Sequence, residues 1–237
     1  MLIVKRSNLI IISTLVLTII TFIICFGSLK SGSALSSEQP KIKVVLDAGH
    51  GGIDGGVSGV NTGIKESVIN LSIVKKLERY LVDGGFNVVL TRSTDAGLYG
   101  IATKSLKKKD MQKRKEIIEK VEPSLVVSVH LNKYSLSSRK GAQIFYNEKN
   151  QNGKILAESI QKAFNELPDS ERDFSALKGD YYILNCTNYP SVIAECGFLS
   201  NPEEEAKLVT EEYQDVVAYT LFKGIVSYLA ETSYNPQ

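Results

Sequence analysis

Lys43-Val44-Val45-Leu46-Asp47-Ala48-Gly49-His50-Gly51-Gly52 is an apolar, β-branched run that stops at a histidine set among glycines. A short run of that kind, bounded by glycine, reads as a strand buried in a sheet. Glycines at its carboxyl end let the backbone turn sharply and come close to whatever His50 holds. The chain has two histidines, and the other, His130, follows a second such run, Leu125-Val126-Val127-Ser128-Val129. Carboxyl ends of strands face the ligand crevice of an open α/β sheet, so two imidazoles placed there converge. The pattern predicts a metal site.

Outward from that stretch, strand and helix signals alternate. A glycine-rich loop, Gly51 to Gly63, leads to a helix over about Ile64–Asp83 that Gly84-Gly85 terminates. Its apolar stripe is Ile69, Ile73, Leu77 and Leu81, and at 3.6 residues per turn Glu66 falls on the same inward stripe, whereas Lys75, Lys76 and Arg79 point away. A carboxylate facing a core must be paired or bound to a metal. The plainer reading of Glu66 is a first-turn acid favoured by the helix dipole. Asn87–Arg92 reads as the second strand, followed by a loop with a lysine-rich tail and a helix over about Met111–Val121. Arg114 lies in the middle of that helix's apolar face, and a buried guanidinium needs a carboxylate or carbonyl partner, so it reads as a supporting residue rather than a catalyst. Gly141–Tyr146 is a fourth strand, and Ile155 to Leu167 carries the next helical stripe. Asp169–Asp180 is polar and irregular, a loop long enough to cover the site, and Tyr181–Leu184 reads as a short strand. In Pro190-Ser191-Val192-Ile193-Ala194-Glu195-Cys196-Gly197, an apolar strand ends in an acid. Glu195 caps a strand at a wet edge in one reading and is a functional carboxylate in the other, which its place after a buried run favours. A last helix runs through Val216 to Tyr228, and no repeat or appended module is present.

With 237 residues, 43% of them hydrophobic, the chain can bury one good core. Residues 1–40 differ in kind. Lys5 and Arg6 precede an uncharged run from Leu9 to Phe26 and a Gly/Ser-rich stretch ending at Pro40. That pattern suits a cleavable signal peptide or, given its length, a membrane anchor; either way residues 41–237 are exported. Removing Lys5, Arg6 and Lys30 against Glu38 leaves 25 basic and 25 acidic residues, so the exported part is neutral. Neutrality argues against nucleic acid as the main partner. One basic cluster remains, Lys104 and Lys107–Lys109 through Lys113, Arg114 and Lys115. It reads as a solvated helix face or as a contact with an anionic envelope polymer. Cys186 and Cys196 match no zinc-finger spacing, and nothing in the sequence indicates a disulfide between them.

Two histidines and two carboxylates at crevice positions form a coherent chemical set. Two imidazoles and one acidic ligand around zinc, with water in the open position, is an established hydrolytic arrangement, and the remaining carboxylate then serves as base. No G-x-S-x-G elbow occurs for a serine nucleophile, and a Cys196 nucleophile leaves Glu66 unexplained.

At these residues the chain resembles the zinc-dependent N-acetylmuramoyl-L-alanine amidases of the type called amidase 3. The resemblance runs from about Ile42 to Leu229. Its markers are Leu46 through Gly52, Glu66, Thr91-Arg92, Arg114, Ser128 through Asn132, and Pro190 through Glu195 to Asn201. It implies that His50, Glu66 and His130 hold Zn2+ and that Glu195 is the catalytic carboxylate, with Asp47 and Arg114 orienting the ligands. The implied substrate is peptidoglycan, cut between N-acetylmuramic acid and L-alanine, and the implied fold is a single α/β domain, residues 41–237, with a mostly parallel, helix-flanked twisted sheet. A short layout with one N-terminal apolar segment is similar to the sporulation branch. Members of that branch are germination-specific enzymes that act on spore-cortex muramic acid before δ-lactam formation, between the forespore and mother-cell membranes. Placement by the N-terminal segment or by an envelope partner protein follows as an expectation. Ala48, Leu131 and Asn185 depart from the family pattern, which bears on site shape and substrate grip. Two other readings fit the same residues: a non-catalytic peptidoglycan-binding scaffold, and a zinc peptidase acting within stem peptides.

Overall fold

A computed structural model describes residues 16, 18, 19, 21, 42–101, 104–168, 170 and 173–234. The chain divides into two units, Met1–Pro40 and Lys41–Gln237. Apart from four residues, the segment read as a signal peptide or anchor lies outside the described residues. Among the described residues, no helix is long and apolar enough to cross a membrane.

The second unit is built on a six-stranded sheet of β1 (Lys43–Ala48), β2 (Asn87–Leu90), β3 (Leu125–Asn132), β4 (Gln143–Tyr146), β5 (Leu177–Lys178) and β6 (Ser191–Phe198), in the order β2-β1-β3-β6-β4-β5. Strands β2, β1, β3 and β6 run parallel, whereas β4 is antiparallel to β6. Among the described residues six helices accompany them: α1 (Glu66–Asp83), α2 (Leu106–Val121), α3 (Gln151–Asn165), α4 (Tyr182–Asn185), α5 (Pro202–Leu208) and α6 (Glu211–Tyr234).

Alternation along the strands divides the core in two. Val44, Leu46, Ala48, Val127, Val129, Ala194 and Cys196 pack with the apolar faces of α1, α3 and α6. Ile69, Ile73, Leu77 and Leu81 of α1 are all buried there, as their spacing predicts. At Gly224 of α6 a Cβ would stand 2.6 Å from the Ile160 Cα, so α6 rests directly on α3. Residues of the opposite parity, Val45, Val126 and Ile193, meet Ile118 of α2 and Ile183 and Leu184 of α4. That second layer is thinner. Asp47, Ser128, His130 and Glu195 share its parity, which puts them on the α2/α4 face.

Three segments depart from expectation. The lysine-rich tail is not a loop, because α2 begins at Leu106 and Lys107–Lys109 form its first turn. Apolar periodicity is blind to a turn whose side chains are solvated. Tyr181–Leu184 supplies no strand; it leads into the single turn α4, which buries Ile183 and Leu184 against the sheet. Four apolar residues are too few to separate the two periods. Within Asp169–Asp180, the described residues include strand β5, and Asn165 of α3 both donates to the Phe174 carbonyl and accepts from its N–H. None of them lines the groove described below, so the expected cover does not lie over the site. Cys186 and Cys196 are free thiols.

Candidate metal centre and active site

His50 sits just beyond β1 with φ 62°, a left-handed conformation rare outside glycine. Such strain persists only where neighbours over-determine it. Two buried guanidiniums do so here. Arg92 donates from Nε to Ala48 O (2.8 Å) and from Nη2 to Gly49 O (2.9 Å), and Arg114 donates from Nη2 to His50 O (2.6 Å). Gly49 is required for a different reason: a Cβ there would stand 2.2 Å from the His130 Cε1. The two histidine rings therefore approach edge to face, with centroids 5.0 Å apart. Gly49→Ala is expected to fold but to displace His130, lowering metal affinity at least about tenfold for a stability loss of about 1–3 kcal/mol; metal titration and thermal melts check both.

Glu66 opens α1 and is 2% exposed, pointing at the histidines. Its Oε1 lies 2.9 Å from His130 Nδ1 and 3.3 Å from His50 Nε2, and also accepts from Leu131 N and Asn70 Nδ2, both at 3.1 Å. Its Oε2 accepts from Val57 N (2.9 Å), which ties the glycine loop to the site. Burial works to raise this carboxyl's pKa, but hydrogen bonds from both histidines hold it far below the carboxylate range. Burial works to lower the His50 pKa, and Glu66 and Asp54 raise it on balance. Donor atoms of His50, Glu66 and His130 all lie within 4.8 Å of one another. A tetrahedron with bonds of about 2.0–2.1 Å has edges of about 3.3 Å, so this donor set fits a small divalent ion.

Two carboxylates support this cluster. Asp54 accepts from His50 at Nδ1, 3.0 Å away, which leaves Nε2 turned to Glu66. This is the carboxylate–histidine pairing that fixes the tautomer of a metal ligand. Asp54→Ala is expected to weaken metal binding about 10–100-fold, read by competition with a chromophoric chelator, with stability changed by less than about 1 kcal/mol. Asp47, 2% exposed, accepts from Arg114 Nη1 (2.5 Å), Thr91 Oγ1 (2.6 Å) and Ser128 Oγ (2.6 Å). Burial alone would raise its pKa; Arg114 and the two hydroxyls hold it at about 2. Arg114 also donates from Nε to Asp110 (2.6 Å), so its charge is fully engaged.

Glu195 faces His130 in register across the β3–β6 pair. Its Oε2 is buried without a hydrogen-bond partner. Native structures rarely leave such an atom unpaired. Burial pushes its pKa up to about 7, with Glu66 adding to the rise and the histidines opposing it. His50, His130 and Glu195 line a groove of ≈ 570 Å³ walled by Ile53, Tyr99, Met111, Tyr181 and Tyr182. A three-donor metal site beside a half-buried proton acceptor is a hydrolytic arrangement.

A sequence profile described as N-acetylmuramoyl-L-alanine amidase matches residues 44–227, a span that includes every residue above. The chain belongs to this amidase family. It is an enzyme that hydrolyses an amide of peptidoglycan. The germination-specific N-acetylmuramoyl-L-alanine amidase of Bacillus subtilis is 34% identical over 82% of this chain and 82% of its own length. The CwlD amidase of Clostridioides difficile, solved in complex with the GerS lipoprotein, is 37% identical, with a TM-score of 0.78 over 81% of this chain and 100% of that one. The catalytic domain of CwlV, an amidase from Bacillus (Paenibacillus) polymyxa var. colistinus, is 31% identical, with a TM-score of 0.69 over 80% and 98%. The expected fold, one α/β domain with a mostly parallel sheet, is the fold of this amidase family.

The amidase's structure brings together His50, Glu66, His130 and Glu195, with Asp47 and Arg114 behind them. Three further residues escaped the sequence reading. Asp54 contacts His50 and Asn70 contacts Glu66, and Arg92, a family marker with no assigned task, clamps the strained turn. Asn70 had a usable signal, lying one helical turn after Glu66 on the inward stripe. Asp54 had none beyond its place in the glycine loop.

Proposed function

We propose that the protein is a zinc-dependent amidase that cuts peptidoglycan between N-acetylmuramic acid and L-alanine. The observation that carries this reading is the His50–Glu66–His130 cluster with the unpaired Glu195 Oε2 beside it. The three ligating residues offer two imidazoles and one carboxylate, the donor set of hydrolytic zinc sites with a coordination position left open. Zinc held there supplies Lewis-acid activation of the attacking water and of the lactyl carbonyl. Glu195 Oε2 takes the proton from the attacking water and delivers it to the departing L-alanine nitrogen. Its buried, unpaired oxygen leaves it free to hold that proton and give it up again. Asp54 sets the tautomer of His50, Asn70 and the Val57 N–H fix Glu66, and the Asp47–Arg114 pair anchors the turn that carries His50.

The setting we infer is the spore cortex, where the product is the muramic acid later closed to its δ-lactam. Support comes from the relatives, one named germination-specific and one solved with a lipoprotein partner. Residues 1–40 serve as export signal or anchor, placing residues 41–237 outside the cytoplasmic membrane. An envelope lipoprotein completes the targeting. The test is spore-cortex muropeptide analysis of a strain carrying only His130→Ala: cortex lacking δ-lactam supports the setting, and normal δ-lactam content refutes it.

A further inference from the structure

The lysines at the start of α2 are not used by the site described so far. Lys107, Lys108 and Lys109 fill the first turn of a helix that has no acid there and no side-chain cap, since Ser105 takes a left-handed conformation. Positive charge opposes the helix dipole at that end, so the arrangement is locally unfavourable. Local rules broken without structural gain mark function. Of the three, Lys107 alone lines the catalytic groove, next to Asp54, Tyr99, Met111 and Tyr182. Among the described residues it closes no ion pair, whereas Arg114, the other cation on the groove wall, is bound to Asp47 and Asp110. The groove therefore presents one solvated positive charge that closes no ion pair among the described residues, although it lies near enough to lower the Asp54 pKa, beside the histidines and framed by apolar walls.

The substrate has a corresponding asymmetry. On the glycan side of the scissile bond the lactyl carboxyl is consumed in the amide, so that side is neutral. On the amine side runs a peptide that carries free carboxylates. We infer that Lys107 is a specificity-determining residue that docks a carboxylate of the stem peptide, and so fixes which end of the substrate lies over α2. Ile53 and Tyr182, 74% and 50% exposed, flank the groove and take the small apolar side chains of the same peptide. Lys108 and Lys109 are exposed on α2 and line no part of the groove, which makes them internal controls.

This inference rests on the amidase reading, and the experiment separates the two. A synthetic stem peptide is prepared with free carboxylates and with the same groups amidated. Binding of each to the full-length protein is measured by calorimetry, and kcat and KM are measured on muropeptides carrying the two peptides. Expected for the wild type is about fivefold preference for the free acid in binding and in KM, with kcat alike. Lys107→Ala should bring that ratio to about one, and Lys107→Glu should invert it. Lys108→Ala and Lys109→Ala should leave it unchanged, because loss of a general positive field would move all three variants together. An unchanged ratio in Lys107→Ala, or a wild type indifferent to amidation, overturns the assignment. The binding arm needs no turnover, so an inactive preparation would count against the amidase reading alone.

Discussion

Replacing Glu195 by glutamine is expected to lower kcat on purified peptidoglycan about 10³-fold while metal content and melting temperature stay at wild-type values. The size follows from the chemistry assigned to one atom. Oε2 has no hydrogen-bond partner in the resting protein, so an amide there breaks no structural bond. What it removes is a proton acceptor whose pKa burial has raised to about 7. A base must be ionised to act, so the wild-type pH profile should carry an acid limb that the glutamine variant loses. The rate and profile come from dye-release assays, and the metal content from elemental analysis of the same samples. A Glu195→Gln protein within about tenfold of wild type would remove Glu195 from the proton-transfer role.

Asp47→Asn carries the second large effect, on the fold and through it on the site. Removing the sole partner of a buried charge costs about 3–5 kcal/mol; Arg114 keeps Asp110, so about 2–3 kcal/mol is expected here. Arg114 is 1% exposed and holds His50 O as well as Asp47, so the strained turn should loosen with the pair. Expected is a destabilisation of that size in chemical denaturation and a metal affinity reduced at least about tenfold. The same pair sets an acid limit. A carboxyl held at about 2 when folded, against 3.8 ordinarily, binds fewer protons folded than unfolded. Its contribution, about 2 kcal/mol, is fully present above pH about 4 and is lost as pH falls through about 2. Asp47→Asn should flatten that part of the stability profile; an unaltered acid dependence would contradict the role given to Arg114.

Much of the site was legible because it lies at the ends of buried runs. His50, His130 and Glu195 each follow an apolar stretch, and Glu66 stands on an inward helical stripe, so period and position alone brought the four together. Arg114 was legible for the same reason, a charge at the centre of an apolar face. Residues held by loops were not. Asp54 reaches His50 through a turn whose path depends on Gly51 and Gly56, and no periodicity describes such a path. Arg92 acts through the Ala48 and Gly49 carbonyls, which adjoin it only after β1 and β2 pair. In the fold, the alternation of strands with helices was legible in the sequence, and the mostly parallel sheet was what the family resemblance implied. The start of α2 and the turn α4 were not legible, one because its first turn is lysine and the other because it is four residues long.

The most direct measurement is mass spectrometry of the products released from purified sacculi by the full-length protein, with zinc supplied, with a chelator, and with zinc restored. Expected is release of whole stem peptides that begin at L-alanine and leave the glycan intact, abolished by the chelator and recovered with zinc. Release that survives the chelator, or cuts placed between stem-peptide residues, would contradict a zinc-dependent muramoyl amidase at His50, Glu66 and His130.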